Sequence, residues 1–159
     1  MDYDSISKSY NELYQEEQLK KLEIIKKYIK VKLTDKLLDV GCGTGISTNF
    51  FKCKSIGIDP SKNLIKQGTK NLIYGKAEKI QFKDKYFDIT ISITAIHNFN
   101  NYKKGLREIK RVTKPKGKII ITLLKKAKKY QEIKDLIIKE IKPRIIDSEK
   151  DTIFIGKND

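Results

Sequence analysis

The sequence predicts an α/β fold: a seven-stranded, mostly parallel sheet with helices on both faces. Three observations predict it. Short β-rich runs alternate with helical periods, the pattern of parallel strands joined by crossovers. The first of those runs, KLLDVG at 36–41, is apolar without alternation, as a strand covered on both faces should be. The last two, RIIDSE at 144–149 and TIFIGK at 152–157, form a closing antiparallel hairpin around Lys150 and Asp151, after five parallel strands.

In order, the chain opens with a predicted helix at about 10–30, where Leu22, Ile25 and Ile29 share one face among lysines and glutamates. A glycine loop follows the first strand, and then a short helix near 46–52. KSIGIDPS (54–61) is a second strand ending in an acid, and Pro60 and Ser61 start a helix that runs to about 68. NLIYGKA (71–77) is the third strand, and YFDITISIT (86–94), rich in β-branched residues, is the fourth. A helix at about 102–113 turns Tyr102, Leu106, Ile109 and Val112 inward. KPKGK (114–118) is a turn, and KIIITLL (118–124) is the fifth strand. The last helix, about 128–141, is carried by Tyr130, Ile133, Ile137, Ile138 and Ile141, and Pro143 stops it. No repeat, low-complexity tract or linker interrupts this order. The 159 residues therefore read as one domain, 1–159, with 1–33 a helical cover and 34–159 the core.

Composition narrows the function classes. No apolar run approaches membrane-spanning length, so no membrane role is expected. The opening MDYDSISKSYNELY has no basic start followed by an apolar stretch, so no signal peptide is expected and the cytoplasm is the expected compartment. Cys42 and Cys53 stand outside any metal-ligand spacing, which leaves no metal centre and no disulfide framework. The net charge of +15 suits an anionic partner, although lysine supplies nearly all of it and only Arg107, Arg111 and Arg144 are arginines. The charge is uneven. Residues 103–134 hold thirteen lysines and arginines against Glu108 and Glu132, whereas 1–60 is nearly balanced. The basic helices of 103–134 are thus a candidate surface for RNA phosphates.

The stretch LLDVGCGTGIS (37–47) carries the chemistry. Glycines at alternate positions after a first strand let a nucleotide-type ligand approach the backbone. The dinucleotide fingerprint would need glycine where Ile46 stands, and Asp39 just before the turn would oppose a pyrophosphate. A cationic ligand suits Asp39 instead. Asp59, at the end of the second strand, can accept hydrogen bonds from both hydroxyls of a ribose; before Pro60 and Ser61 it also suits a helix cap. A ribose at one end and a sulfonium or ammonium at the other describe S-adenosylmethionine.

LLDVGCGTG (37–45), GIDPS (57–61), GKAEKIQFKDKYFDITISITAIHNF (75–99) and LREIKRVTKPKGKIIIT (106–122) together resemble class I S-adenosylmethionine-dependent methyltransferases, the type 11 group that includes ubiquinone and menaquinone biosynthesis enzymes. The resemblance implies a Rossmann-like methyltransferase fold. It also implies that Asp39, Gly41 and Gly43 line the methionine end of the cofactor, that Asp59 holds the ribose, and that Ala77 and Glu78 pack by the adenine. Thr94 and Ala95 fall near the transferring methyl group, and Tyr10 matches a tyrosine that helps cover the cofactor. One position departs from the pattern: the residue before Ala77 is usually an aspartate that takes the adenine amino group, and Lys76 cannot accept a hydrogen bond.

Methyl transfer from a sulfonium is an in-line displacement that needs chiefly alignment and exclusion of water. His97, the only histidine, follows the fourth strand and is the candidate general base. The acceptor is open. Only about ten residues, 76–85, join strands three and four, and this bare platform leans toward RNA or a translation component. A quinone-type small metabolite is the alternative, and it predicts a closed apolar pocket beneath the N-terminal helix and His97. A small activator protein could complete the site, as for some translation-related methyltransferases of similar build. A non-catalytic subunit of a complex remains a rival; a dinucleotide oxidoreductase is disfavoured by Ile46.

Overall fold

The computed structural model describes the backbone of residues 3–159 and the side chains of residues 11–159. In chain order the elements are α1 (Tyr3–Lys26), β1 (Lys36–Val40), β2 (Lys54–Asp59), α2 (Lys62–Lys66), β3 (Leu72–Tyr74), β4 (Phe87–Ile93), a single 3-10 turn (Ile96–Asn98), α3 (Tyr102–Val112), β5 (Thr113–Leu124), α4 (Tyr130–Ile141), β6 (Arg144–Asp147) and β7 (Asp151–Lys157). Seven strands form one sheet in the order β3-β2-β1-β4-β5-β7-β6. The first five are parallel, and β7 runs antiparallel between β5 and β6. After β1 the chain builds outward through β2 and β3, then returns to lay β4 on the other side of β1. Such a reversal opens a crevice at the carboxyl ends of the central strands.

Successive residues of the buried strands feed two cores. Leu38, Val40, Ile119 and Ile121 pack with Leu106, Ile109 and Val112 of α3 and with Ile133, Ile137 and Ile141 of α4. On the other face Leu37, Ile89, Ile91 and Ile120 pack with Leu22 and Ile25 of α1 and with Phe51. Polar groups close the helix ends. Ser61 caps α2 through the amide of Leu64, and Asn101 caps α3 through that of Lys104. Lys142, left-handed at φ 42°, ends α4 before Pro143.

Three expectations are corrected. The helix expected near 46–52 does not form; the segment is a chain of turns carrying Asn49 N to Gly45 O at 3.1 Å and Phe50 N to Ser47 O at 3.3 Å. Its hydroxyls are engaged elsewhere, because Ser47 and Thr48 both donate to the carboxylate of Asp39. The third strand is only three residues: the amide of Gly75 makes the last ladder bond, to Asp59 O, and the chain then turns, with Lys79 N bonding to Lys76 O. The KPKGK turn lies inside β5 rather than before it. Phe87 pairs with Thr113 and Ile89 with Lys118, so residues 114–117 loop out opposite Asp88 alone.

This topology also divides the basic run of 103–134. Lys103 and Lys104 begin α3 and residues 125–129 follow β5, all at the carboxyl ends of the strands, whereas Lys114, Lys116 and Lys118 lie at the opposite end. Lys110, Arg111, Lys114 and Lys125 form ion pairs with Glu140, Asp84, Asp88 and Asp147, and Arg111 also pairs with Glu108.

Because α1 reaches the sheet through a fully buried leucine, Leu22→Ala is expected to destabilise the fold by about 2–5 kcal/mol. Urea denaturation checks this; a loss below about 0.5 kcal/mol would mean that α1 does not share the cooperative core.

Candidate functional site

The loop after β1 turns back over the strand ends through glycines in left-handed conformations. Gly41 (φ 80°) presses on Ala95, where an added Cβ would lie 2.5 Å from that side chain. Gly43 (φ 56°) differs: an added Cβ there would meet nothing within 4 Å. The backbone at Gly43 therefore faces open space that any side chain would fill.

That space is a cavity of about 320 Å³ lined by Gly41, Gly43, Asp59, Ala77, Glu78 and Thr94, with Lys76 at its rim. Around Gly41, Gly43 and Tyr14 it meets a second cavity of about 470 Å³ beneath α1, which Gln15, Gln18 and Ser47 also line. Asp59 stands at the junction. Its Oδ2 accepts from the amide of Gly43 at 2.9 Å and its Oδ1 from the amide of Ser61 at 2.8 Å. Each oxygen keeps a second lone pair. Glu78 Oε2 is buried and has no hydrogen-bond partner among the described residues.

Asp39 does not line either cavity. It lies fully buried beneath the loop, where Ser47 Oγ (2.6 Å) and Thr48 Oγ1 (2.8 Å) donate to Oδ2 while Oδ1 has no partner among the described residues. Burial pushes its carboxyl up to about 6 despite those two donors. Thus Gly41, Gly43, Asp59, Ala77, Glu78 and Thr94 come together at one cavity wall, and Asp39 supports them from below. Tyr10 lies outside the described side chains. Cys42 is buried, and burial holds its thiol far above the ordinary range, so it is inert.

His97 sits on the single turn after β4, half-buried, with Nδ1 buried and without a hydrogen-bond partner among the described residues. Burial lowers its pKa from the ordinary 6.5; the charge of Asp151 opposes that effect and that of Lys21 adds to it. His97 does not line the Gly43 cavity. It borders a third one, about 690 Å³, which shares Asn98, Phe99 and Asn100 with the first.

The sequence reading missed a buried polar cluster behind this turn. Lys21 Nζ donates to Gln18 Oε1 (2.7 Å) and to Thr94 Oγ1 (2.6 Å), and lies 3.4 Å from Asp151. Thr94 Oγ1 donates in turn to Asp151 Oδ2 at 2.8 Å. Thr94 is a β-branched residue at φ 53°, a strained conformation, held by bonds from its amide to the carbonyl and hydroxyl of Thr122. Burial lowers the pKa of Lys21 and outweighs its pairing with Asp151. The available signal was positional: Gln18 and Lys21 flank the apolar stripe of Leu22 and Ile25 on α1.

Comparison with known proteins places these features. A sequence profile of the family described as "Methyltransferase domain" matches residues 38–121. An uncharacterized protein of Methanocaldococcus jannaschii is 37% identical over 127 residues, 76% of this chain and 49% of its own length. The chain thus spans about half the length of that curated relative. Two solved structures share the fold at 19% identity. One, a SAM-dependent methyltransferase of Thermotoga maritima described as a possible histamine N-methyltransferase, has a TM-score of 0.75 over 99% of this chain and 98% of its own. The other, a methyltransferase of Haloferax volcanii solved in complex with the Trm112 methyltransferase activator, has a TM-score of 0.64 over 74% of this chain and 57% of its own.

The buried carboxyl of Asp39 gives a pH prediction. Its ordinary value is 3.8 and its folded value about 6. Between these values the native state holds a proton that the unfolded state has lost. The group therefore lowers stability as pH rises through that window, and the full cost, about 3 kcal/mol, persists above it. Asp39→Asn removes the titration. Relative to the unsubstituted protein it is expected to gain about 2 kcal/mol of stability between about pH 4.5 and about pH 7.5, since about a third of the cost is already present at the lower pH. Urea denaturation at the two pH values reads the difference; a difference independent of pH would rule the account out.

Proposed function

The chain belongs to the methyltransferase-domain family, and from that premise we propose that it transfers a methyl group from S-adenosylmethionine to an acceptor at the carboxyl ends of β4 and β5. The observation that carries the reading is the cavity at Gly43, whose wall pairs an open left-handed glycine with the Asp59 carboxylate. The reading takes residues 1–159 as one unit, with α1 as its cover.

The residues fit the cofactor. Asp59 has lone pairs for the two ribose hydroxyls, and its bond to Gly43 fixes the loop at the height where the ligand's body passes. Glu78 supplies the acceptor that Lys76 lacks: its buried, unpartnered Oε2 suits an adenine amino group, two residues beyond the usual aspartate. The cavity beneath α1 takes the methionine end, with Tyr14, Gln15 and Gln18 around it and Asp39 below. Thr94 and Ala95 form the floor where the two ends meet.

When bound, S-adenosylmethionine supplies a methyl carbon on a sulfonium; the acceptor's nucleophilic atom gains that carbon, and the electron pair of the broken bond stays on sulfur. The chain's part is to align the acceptor, exclude water and take the acceptor's proton. His97 suits the last task, because its lowered pKa leaves it neutral, with a free lone pair, at neutral pH. Transfer to a hydroxyl or amine should then fall on acidification through that lowered value.

RNA, toward which the bare platform and the basic run lean, loses the second support: the run's lysines divide between the two ends of the sheet, and several are ion-paired. A small metabolite is the reading we adopt. The non-catalytic alternative has no use for a cavity lined by Asp59 and an unpartnered Glu78. An activator partner rests on the Haloferax volcanii likeness alone, and cofactor binding by the isolated chain tests it.

Calorimetric titration with S-adenosylmethionine and S-adenosylhomocysteine is expected to give micromolar binding. Asp59→Ala is expected to weaken it about a hundredfold or more, and Glu78→Gln about tenfold. NAD should not compete. No binding by the isolated chain would refute the autonomous reading and favour a scaffold or a partner-completed cleft.

A further inference from the structure

We propose that the cavity beside His97 is the acceptor seat and that it selects a small anionic acceptor, a molecule bearing a carboxylate or phosphate near the hydroxyl or amine that is methylated. This inference rests on the methyl-transfer reading and gives its substrate class.

Position comes first. The cavity opens between the turn after β4 and the start of α4, and it shares the wall of Asn98, Phe99 and Asn100 with the Gly43 cavity. A ligand there lies one side-chain layer from the proposed cofactor. His97 borders this side only, where a base must stand to take a proton from an acceptor. Its volume, about 690 Å³, is that of a small-molecule site.

Charge sets the class. Three lysines line the cavity, Lys103, Lys128 and Lys129, against one carboxylate, Glu132. The carboxylate is already engaged, since it accepts from the hydroxyl of Tyr102 at 3.1 Å. Lys129 stacks over the ring of Tyr102, 5.9 Å from its centre. Lys103 and Lys128 form no ion pair among the described residues, in contrast to Lys110, Lys114 and Lys125 of the same basic run. Two uncommitted ammonium groups thus line a recess whose remaining wall alternates three asparagines with Phe99, Tyr102, Ala127 and Ile133. An anion finds charge, and amide donors from Asn98, Asn100 and Asn101.

The test uses the single histidine as a reporter. The imidazole resonances of His97 are followed by NMR in the full chain, with and without saturating S-adenosylhomocysteine. Salicylate and inorganic phosphate are the anionic probes, and salicylamide is the neutral analogue of the first. Both anions are expected to shift the His97 resonances saturably, and salicylamide to bind at least about tenfold more weakly. The double variant Lys103→Ala/Lys128→Ala is expected to lose about tenfold or more of anion affinity, with S-adenosylhomocysteine binding unchanged. Lys116→Ala, at the far end of the sheet, should leave both unchanged. Equal binding of salicylamide, no saturable shift with either anion, or anion binding indifferent to the double variant would each overturn the proposal. So would a single-stranded RNA oligomer that shifts His97 more tightly than either small anion and is weakened equally by Lys116→Ala. The anion titration is read whether or not S-adenosylhomocysteine binds, so failure of the cofactor reading is a separate result.

Discussion

The buried carboxylate of Asp39 is the constraint around which the ligand end of the sheet is arranged. It sits on the central strand β1, between β2 and β4, with no exposure to solvent. A carboxylate in such a place needs donors, and the hydroxyls of Ser47 and Thr48 supply them. Drawing those hydroxyls down accompanies a chain that doubles back within the few residues between, through the left-handed glycines Gly41, Gly43 and Gly45. The same demand keeps residues 46–52 from becoming a helix. The glycine loop is therefore a consequence of the acid as much as a feature in its own right. Its turned backbone then places the amide of Gly43 where Asp59 can accept from it. One buried acid shapes the loop, and a second, at the end of the neighbouring strand, pins it.

A second polar cluster does the equivalent work for α1. Apolar contacts through Leu22 and Ile25 fix the helix on the sheet face but leave it free to slide. The bonds of Lys21 and Gln18 to Thr94 set its register against the end of β4. Thr94 can hold a strained backbone because three elements restrain it at once: α1 through Lys21, β5 through Thr122 and β7 through Asp151. Its strain turns the chain sharply into the segment that carries Ala95, His97 and Asn98. The cover, the floor of the cleft and the candidate base are mechanically one assembly. Changes in α1 should consequently be felt at His97.

Much of this was legible in the sequence, for identifiable reasons. Apolar runs without alternation mark β1 and β5 because buried parallel strands need none, and β4, FDITISI, shows itself by its β-branched residues. The alternate glycines and the acid ending β2 mark the cleft because those backbone angles and that carboxylate have few substitutes. What escaped reading depends on contacts distant in sequence. Lys21 and Asp151 are 130 residues apart in the chain and meet only once α1 and β7 converge on Thr94. The missing helix at 46–52 followed from side chains serving Asp39, which local propensity cannot register. The basic run misled because a window of sequence crosses the sheet twice: α3 carries it to one end and β5 brings it back, so neighbouring charges in the chain are separated in space.

The separation of charge has a consequence for methyl transfer. On that reading the donor cleft is acidic, holding Asp59 and Glu78 with Asp39 below, and the adjoining cavity is basic, with Lys103, Lys128 and Lys129. A neutral wall of Asn98, Phe99 and Asn100 stands between them. Carboxylates beside a sulfonium favour the reactant, because the positive charge vanishes as the methyl group leaves, and stabilising a reactant raises the barrier. The structure limits that penalty. Asp59 and Glu78 lie toward the nucleoside end. Asp39, the acid beneath the loop, is shielded by two hydroxyls and held half-protonated near pH 6. Once transfer is complete, a neutral thioether interacts less with the acidic cleft than the sulfonium did, which favours exchange of product for fresh donor. An anionic acceptor gains from the same arrangement, since the lysines bind it beyond the neutral wall and its approach to the acidic cleft is offset by the donor's own charge. The two pockets are thus suited to opposite charges that attract each other across the one short boundary where the reacting atoms must meet.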